Sequence, residues 1–125
     1  MTIEQAIYTY LTAAPRSLAV YPVRLPQDPP LPAVTYTRIA TPMIRTIRGG
    51  KVFNPVFQFD CWAASYAGAK GLAASVRDAL DGFSGLMGGA NGVQVQAVYV
   101  TSEMDDFEAT PGIYRVIVEA TIWHE

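Results

Sequence analysis

Two segments of the chain carry apolar residues at the spacing of a single helix face. In residues 2–13, Ile3, Ile7 and Leu11 recur at helical spacing, and Tyr10 falls on the same side. Thr2 followed by Gln5 has the spacing of a capping box. Residues 65–80 predict a second helix, which Ser65 would cap. Its apolar stripe consists of Ala69, Leu72, Ala73, Val76 and Leu80.

Five other segments have the composition or alternation of β-strands: residues 20–23, 33–39, 52–63, 93–101 and 113–123. In the third, Phe57, Phe59 and Cys61 alternate with polar residues, which predicts one apolar and one polar face. Pro55 cannot donate to a strand ladder, so this strand either begins after it or bulges there. In the last segment the residues of one face are apolar: Tyr114, Val116, Val118, Ala120 and Ile122.

The order of these elements, α-β-β-β-α-β-β, predicts one α+β domain spanning residues 1–125. We expect a mainly antiparallel sheet of four or five strands with both helices on its apolar face. Residues 82–92 are rich in glycine and predict a loop. Gly68 and Gly71 weaken the second helix, and we expect them to permit close packing on the sheet.

Composition narrows the possible functions. Half of the 125 residues are apolar, 16% are charged, and the net charge is −2, so the whole chain has no electrostatic drive toward nucleic acid or anionic lipid. One cysteine cannot form an internal disulfide, which indicates a reducing compartment. The N-terminus lacks the pattern of a signal peptide, and no apolar run is long enough to cross a membrane. The sequence therefore predicts a protein made in the cytosol.

Residues with catalytic or metal-binding chemistry are few, and we predict no enzyme activity, metal or cofactor. The only histidine, His124, stands next to last, where we expect a solvated, frayed tail. Cys61 alternates with phenylalanines, which predicts a buried structural thiol. The acidic segment with Asp105, Asp106 and Glu108 lacks the pattern of a calcium loop, so we interpret it as a solvated turn between the last two strands.

The connector between the second and third predicted strands is unusually long for a compact domain, and long connectors are often functional. It combines three large apolar residues with three cations: Met43, Ile44, Arg45, Ile47, Arg48 and Lys51. It predicts a long β-hairpin that extends the sheet, with Gly49-Gly50 as its turn or as a hinge. A compatible interpretation is that residues 40–52 form an arm that docks on a neighbouring subunit.

The charges suggest where such an arm would dock. Arg45, Arg48 and Lys51 are clustered in the arm, and the three carboxylates Asp105, Asp106 and Glu108 are clustered before the last strand. In a head-to-tail ring, every subunit presents one patch to each neighbour, and opposite charges would fix the register of contact. The alternative is that the two patches pair within one chain.

The ordered set of segments resembles the phage tail-completion family, the tail-to-head joining and tail-terminator proteins of long-tailed phages. The resemblance covers nearly the whole chain, from the N-terminal helix to the last strand. Where this family often has an acidic residue early in the second helix, this chain has Gly68. The segments that carry the resemblance are residues 20–22 (VYP), 31–36 (LPAVTY), 57–66 (FQFDCWAASY), 81–83 (DGF), 112–115 (GIYR) and 122–124 (IWH).

The resemblance implies a structural virion protein at the neck of the particle, assembled in the cytoplasm of a bacterial host. Such proteins form a homo-oligomeric ring, commonly a hexamer, that caps the tail tube, stops its growth and joins the tail to the head connector protein. The implied partners are further copies of the chain, the tail tube protein and the connector. Double-stranded DNA would pass through the lumen without specific binding.

Three alternatives remain from the sequence alone. One is a different ring of the same neck, either a head-side connector or a tail tube subunit. Another is a small-ligand-binding or enzymatic α+β domain, which a defined apolar pocket with converging polar groups would favour. The third is a sheet that binds single-stranded RNA through Tyr99 or Tyr114, which the acidic balance disfavours.

Overall fold

The computed structural model describes residues 1–14, 16–27, 30–41, 43–45, 51–108 and 112–125. It contains two helices, α1 (Ile3–Thr12) and α2 (Tyr66–Leu80). Its strands are β1 (Val20–Pro22), β2 (Ala33–Ala40), β3 (Met43–Arg45), β4 (Lys51–Phe53), β5 (Val56–Ala63), β6 (Gly85–Met87), β7 (Val93–Glu108) and β8 (Ile113–His124). Within these ranges, no helix is both long and apolar enough to span a bilayer.

Both helices begin at the residues that the sequence predicts. The Thr2 hydroxyl accepts the amide of Gln5, and the Gln5 side chain accepts the amide of Thr2, which completes the capping box of α1. The Ser65 hydroxyl accepts the amide of Gly68 at the start of α2. All five residues of the predicted α2 stripe are buried, so the helical periodicity identified its packed face correctly.

The strands form one eight-stranded sheet, which is larger than the predicted four or five strands. Its order is β1-β2-β5-β8-β4-β3, with β7 beside β8 and β6 beside β7. The sheet is mixed, because β1 runs parallel to β2 while the other pairs are antiparallel. The prediction missed β6 because it lies inside the glycine-rich segment, where three residues pair with the start of β7.

The predicted hairpin is confirmed in its two arms, whereas its predicted turn at Gly49-Gly50 lies outside the described residues. β2 pairs with β5 as far as Ala40 opposite Val56, and β3 then pairs with β4 from Met43 opposite Phe53 to Arg45 opposite Lys51. Asn54 and Pro55 separate β4 from β5, so the ladder is interrupted beside the proline, as the missing donor requires. β4 also touches β8, where Phe53 lies opposite His124.

The hydrophobic core lies between the helices and one face of the sheet. Phe57, Phe59 and Cys61 alternate along β5 and are fully buried. Both helices contribute to this core, and the Tyr10 hydroxyl of α1 donates to the Ala79 carbonyl of α2 at 2.6 Å. The inward-facing residues of β8 complete the core: Val116, Val118, Ala120 and Ile122.

One glycine of α2 is needed for close packing and the other is not. A Cβ atom at Gly68 would lie 2.9 Å from the Ser65 hydroxyl oxygen and 3.3 Å from the Ala63 Cβ. The first turn of α2 therefore approaches the end of β5 more closely than a larger residue allows. A Cβ at Gly71 would meet nothing within 4 Å, so the predicted role is confirmed only for Gly68.

The prediction that the acidic segment is a turn is wrong. β7 continues through it to Glu108, and Asp105, Asp106 and Glu108 pair with Val116, Arg115 and Ile113 of β8. A register shift between Val100 and Ser102 marks a β-bulge at Thr101. Carboxylates are rare in strands, and here cations on α2 and β8 pair with them.

Candidate subunit-interface site

The predicted arm lies at one end of the strand order. β3 and β4 place the backbones of Met43, Ile44, Arg45 and Lys51, whereas Ile47 and Arg48 lie outside the described residues. Within the described part of the chain, β4 is the only strand beside β3. The geometry confirms an extended hairpin, while the docking of this arm on a neighbour stays a prediction.

The second candidate region is the far end of β7. We call residues 93–100 the proximal half of β7 and residues 101–108 the distal half. Residues 101–107 are exposed one after another, including Met104 and Phe107 with half of their surface accessible. In the proximal half, by contrast, Val95 and Val98 are fully buried. The distal half is thus a strand that the core of this chain does not cover.

Two carboxylates of the distal half face α2. Asp105 accepts a hydrogen bond of 2.7 Å from the Tyr66 hydroxyl and lies 3.2 Å from the Lys70 ammonium. Glu103 lies 2.9 Å from Nη1 of Arg77. The hydrogen bond from Tyr66, followed by that from Lys70, holds the pKa of Asp105 below its ordinary value. These contacts fasten the distal strand to the helix through polar groups.

The other two carboxylates face the side of the sheet away from the helices, where Arg115 gathers them. Its Nη2 contacts Asp106 directly opposite and lies 3.1 Å from Glu108, while Nη1 lies 3.7 Å from Asp60. The hydrogen bond from Arg115 lowers the pKa of Asp106. Burial raises the pKa of Asp60, against the lowering effects of the Gln58 hydrogen bond and the Arg115 charge.

The predicted acidic cluster therefore has partners of its own within the described residues. Asp105 pairs with α2, and Asp106 and Glu108 pair with β8. The sequence analysis missed Lys70, Arg77 and Arg115. Lys70 and Arg77 stand seven residues apart on one face of α2, which is a readable signal, but their facing strand was predicted as a loop. Across this network three cations meet six carboxylates: Asp60, Asp78, Glu103, Asp105, Asp106 and Glu108.

The single cysteine and the single histidine of the sequence are both buried. Burial raises the pKa of the Cys61 thiol to about 12, so almost no thiolate forms near neutral pH, and the predicted structural thiol is confirmed. The prediction of a frayed His124 is wrong. His124 ends β8, is 9% exposed and stacks on Phe53 at a centroid distance of 5.4 Å, because the β3–β4 hairpin covers it.

A shallow groove of about 270 Å³ lies where the hairpin meets the start of α1. Its polar lining includes the ion pair of Glu4 with Arg38, together with the ring of His124. Small-molecule sites are usually larger and more enclosed, so this groove gives little support to a ligand-binding domain. Among the residues that the structure describes, no group of three potential metal ligands occurs.

The RNA-binding alternative also loses its structural basis. Tyr114 packs against Phe107 at 4.8 Å and against Tyr66 at 6.0 Å, so its ring takes part in an internal aromatic cluster. Tyr99 is exposed, but four carboxylates follow it on the same strand, between residues 103 and 108. Phosphate groups would be repelled from this region.

Comparison with known proteins identifies the class to which this fold and surface belong. The sequence profile of the family described as Tail completion protein gp17 matches residues 5–125. The chain belongs to this tail completion family, so it is a structural protein of a phage or phage-derived particle.

The fold has a counterpart among solved structures. A chain from the virion of a native gene transfer agent particle superposes with a TM-score of 0.64 at 22% identity. The match covers 97% of this chain and 93% of that chain, so it shows that the whole fold is shared. Among curated proteins the chain has no match.

Proposed function

We propose that this chain forms a closed homo-oligomeric ring, a hexamer by resemblance, that caps the tail tube and joins it to the head connector protein. The observation that carries the proposal is the match to the tail completion family across residues 5–125. This role requires no catalytic centre, because the ring would act only through the shapes of the surfaces that it presents to its neighbours.

The mechanism depends on two unlike surfaces of one ring. A tail tube grows because each ring presents an edge on which the next ring assembles. A ring of this chain would bind that edge and present a different face to the connector, so tube growth would stop there. DNA would pass through the lumen without being retained, provided that the lumen is neutral or acidic.

The subunit contacts would involve the arm and the distal half of β7. In this proposal Met43, Ile44 and Ile47 provide apolar contacts, while Arg45, Arg48 and Lys51 meet the carboxylates Asp105, Asp106 and Glu108 of the neighbour. The excess of carboxylates over cations in the described network supports this, because the region keeps a negative charge after its internal pairs are counted. Such a contact would fix the register in which neighbouring subunits meet more than it would raise their affinity for each other.

Removal of the protein from the assembling particle tests the proposal. Electron microscopy of particles made without this chain should show tails of uncontrolled length, or finished tails that are not attached to heads. Tails of normal length without heads would identify the chain as a connector-side ring. Normal, infectious particles would defeat the proposal.

A charge-reversed arm tests the proposed contact. The double variant Arg45→Glu/Arg48→Glu should fold normally but fail to restore joined particles. The matched control is Arg24→Glu, which changes an exposed cation outside the arm. If the double variant restores particles as well as the control does, the arm has no charge-dependent role.

A further inference from the structure

The outer edge of β7 is protected in its proximal half. β6 pairs with residues 93–95, the Gly82 amide donates to the Val98 carbonyl at 2.9 Å, and the Val100 amide donates to the Asp81 carboxylate at 3.0 Å. An unprotected strand edge is a template for pairing with another chain, and proteins usually cover it. This chain covers the edge as far as the bulge at Thr101.

The outer edge of the distal half has no such cover among the described residues. Residues 102–108 pair with β8 on one side, and α2 reaches them only through side chains such as Lys70 and Arg77. The outward-facing backbone groups of residues 101–108 therefore lack strand partners in the described structure. Eight residues are long enough to form a complete strand pair.

A second open edge lies on the far side of the sheet. β1 pairs with β2 at residues 34–36, and the Val23 amide extends the pairing by one bond to the Tyr36 carbonyl. Beyond Tyr36, the described outer edge of β2 and β3 has no strand partner, and Ile39 is about half exposed there. In the part of the chain that the structure describes, the sheet thus has one open edge at each side, and the two edges differ in sequence.

The charges of the two edges are complementary. Residues 101–108 contain four carboxylates and no Lys or Arg, whereas residues 37–45 contain the cations Arg38 and Arg45 and no Asp or Glu. Two copies of the acidic edge would repel one another, and so would two copies of the basic edge. The charge pattern therefore disfavours a two-fold symmetric contact and favours a head-to-tail contact, the kind that closes into rings.

We propose that the distal half of β7 in one copy adds as a strand to the outer edge of β2 and β3 in the next copy, so that the sheets of neighbouring subunits form one continuous ladder. The partner is a second copy of this chain, and the inference rests on the proposed ring. Backbone hydrogen bonds supply the contact, and exposed Met104 and Ile39 provide apolar surface at the seam. The bulge at Thr101 separates the edge that the fold covers from the edge that the neighbour covers.

Amide hydrogen exchange tests this inference directly. The free protein at low concentration is compared with the protein assembled on tail tubes. Exchange of outward-facing amides in residues 101–108 and 37–45 should slow by at least about tenfold on assembly. Residues 93–100, whose edge is already covered, serve as the internal control and should not change.

Cross-linking identifies what covers the edge. In assembled tails, a short thiol cross-linker should join neighbouring copies of the double variant Ile39→Cys/Met104→Cys, giving a ladder of this chain only. Protection accompanied by cross-links to another protein would overturn the inference, and so would an assembled ring with unchanged exchange. Both results leave the proposed ring standing. If no ring forms on the tails, both this inference and the proposed function fail.

A proline pair separates edge pairing from folding. Glu103→Pro and Met104→Pro remove successive amides, one of which points to β8 and the other outward, because amides alternate along a strand. Loss of the amide that is bonded to β8 should lower the melting temperature. If one variant keeps the wild-type melting temperature, the amide that it lost is therefore the outward-facing one. That variant should assemble at least about tenfold more weakly, and wild-type assembly would contradict strand addition.

Discussion

The two halves of β7 use the same backbone conformation for different purposes. In the proximal half, Val95 and Val98 are fully buried, and β6, Gly82 and Asp81 cover the outer edge. In the distal half, seven residues in succession are exposed, and carboxylates replace the valines. The change occurs at the bulge at Thr101, so one strand contains both the end of the folded core and the start of a candidate assembly surface.

The comparison shows that burial and strand pairing are separate properties. The proximal half is a strand because its apolar face enters the core. The distal half remains a strand because β8 continues beside it, and Lys70, Arg77 and Arg115 pair with its carboxylates. Five predictions should separate these two causes.

The largest expected contrast is in thiol reactivity. In the variant Met104→Cys, the new thiol should react with an aromatic disulfide reagent at the rate of an exposed cysteine. Cys61 should react at least about a thousandfold more slowly, since it reacts only when the core opens. Two kinetic phases of equal amplitude are the expected result, and one fast phase would contradict the buried core.

A buried charge should distinguish the halves by free energy of unfolding. Val98→Asp places an unpaired carboxylate in the core and should lower the stability by more than about 4 kcal/mol. Met104→Asp, the matched change in the distal half, should alter it by no more than about 0.5 kcal/mol. Urea unfolding measures both, and similar losses in the two variants would show that the distal half belongs to the core.

Replacement of Arg115 should weaken the contacts of the distal half with β8 and leave the buried carboxylate of Asp60 without a cation. Arg115→Met leaves Asp60 without its cation and should cost about 2 kcal/mol at neutral pH, below the roughly 3–5 kcal/mol of a fully buried pair. Arg115→Lys should recover part of this loss, because it keeps the charge but not the forked hydrogen bonds.

The pH dependence of the Arg115→Met variant has a definite sign. Burial already raises the pKa of Asp60, and loss of Arg115, which lowers it, should raise it further. A carboxyl with a raised folded pKa favours the folded state in its protonated form, and this contribution disappears as the pH rises through the folded pKa. The destabilisation should therefore be smaller at pH 4 than at pH 7, as measured by urea unfolding at both values. An equal cost at both would contradict the account.

The smallest effect should come from Asp105, whose contacts are exposed. Its pKa is lowered from 3.8, so its contribution to stability is present above that value and is lost as the pH falls through the folded pKa. Asp105→Asn should slightly lower the melting temperature at neutral pH and have no effect in strong acid. Asp78→Asn, which changes the most exposed carboxylate of the network, is the control. A larger decrease of the melting temperature in acid than at neutral pH would contradict this prediction.

The helices and the core could be predicted from the sequence because each depends on local spacing. The capping residues Thr2 and Ser65 and the full apolar stripe of α2 were identified in this way, and so was the alternation of β5 and β8. The extended hairpin could also be predicted, since a long segment between two strands has few compact alternatives.

The features that the sequence analysis missed depend on contacts between distant segments. The distal half of β7 resembles a turn because its strand character comes from β8 and from cations on α2. β6 was hidden by glycines, and His124 resembled a tail because the hairpin that covers it is remote in sequence. The charged and apolar residues of the candidate interface could be identified from the sequence. The partners of its carboxylates within the chain could not, because they depend on the register in which β7 pairs with β8.

The most direct test of the central claim is a reconstruction by electron cryomicroscopy of the head-proximal end of tails isolated before they join heads. We expect a closed ring that contains only this chain, seated on the last ring of the tail tube protein, with the arm of each copy against the distal half of β7 in the next. Copies located at the opposite end of the tail, or separate copies that do not touch one another, would contradict it.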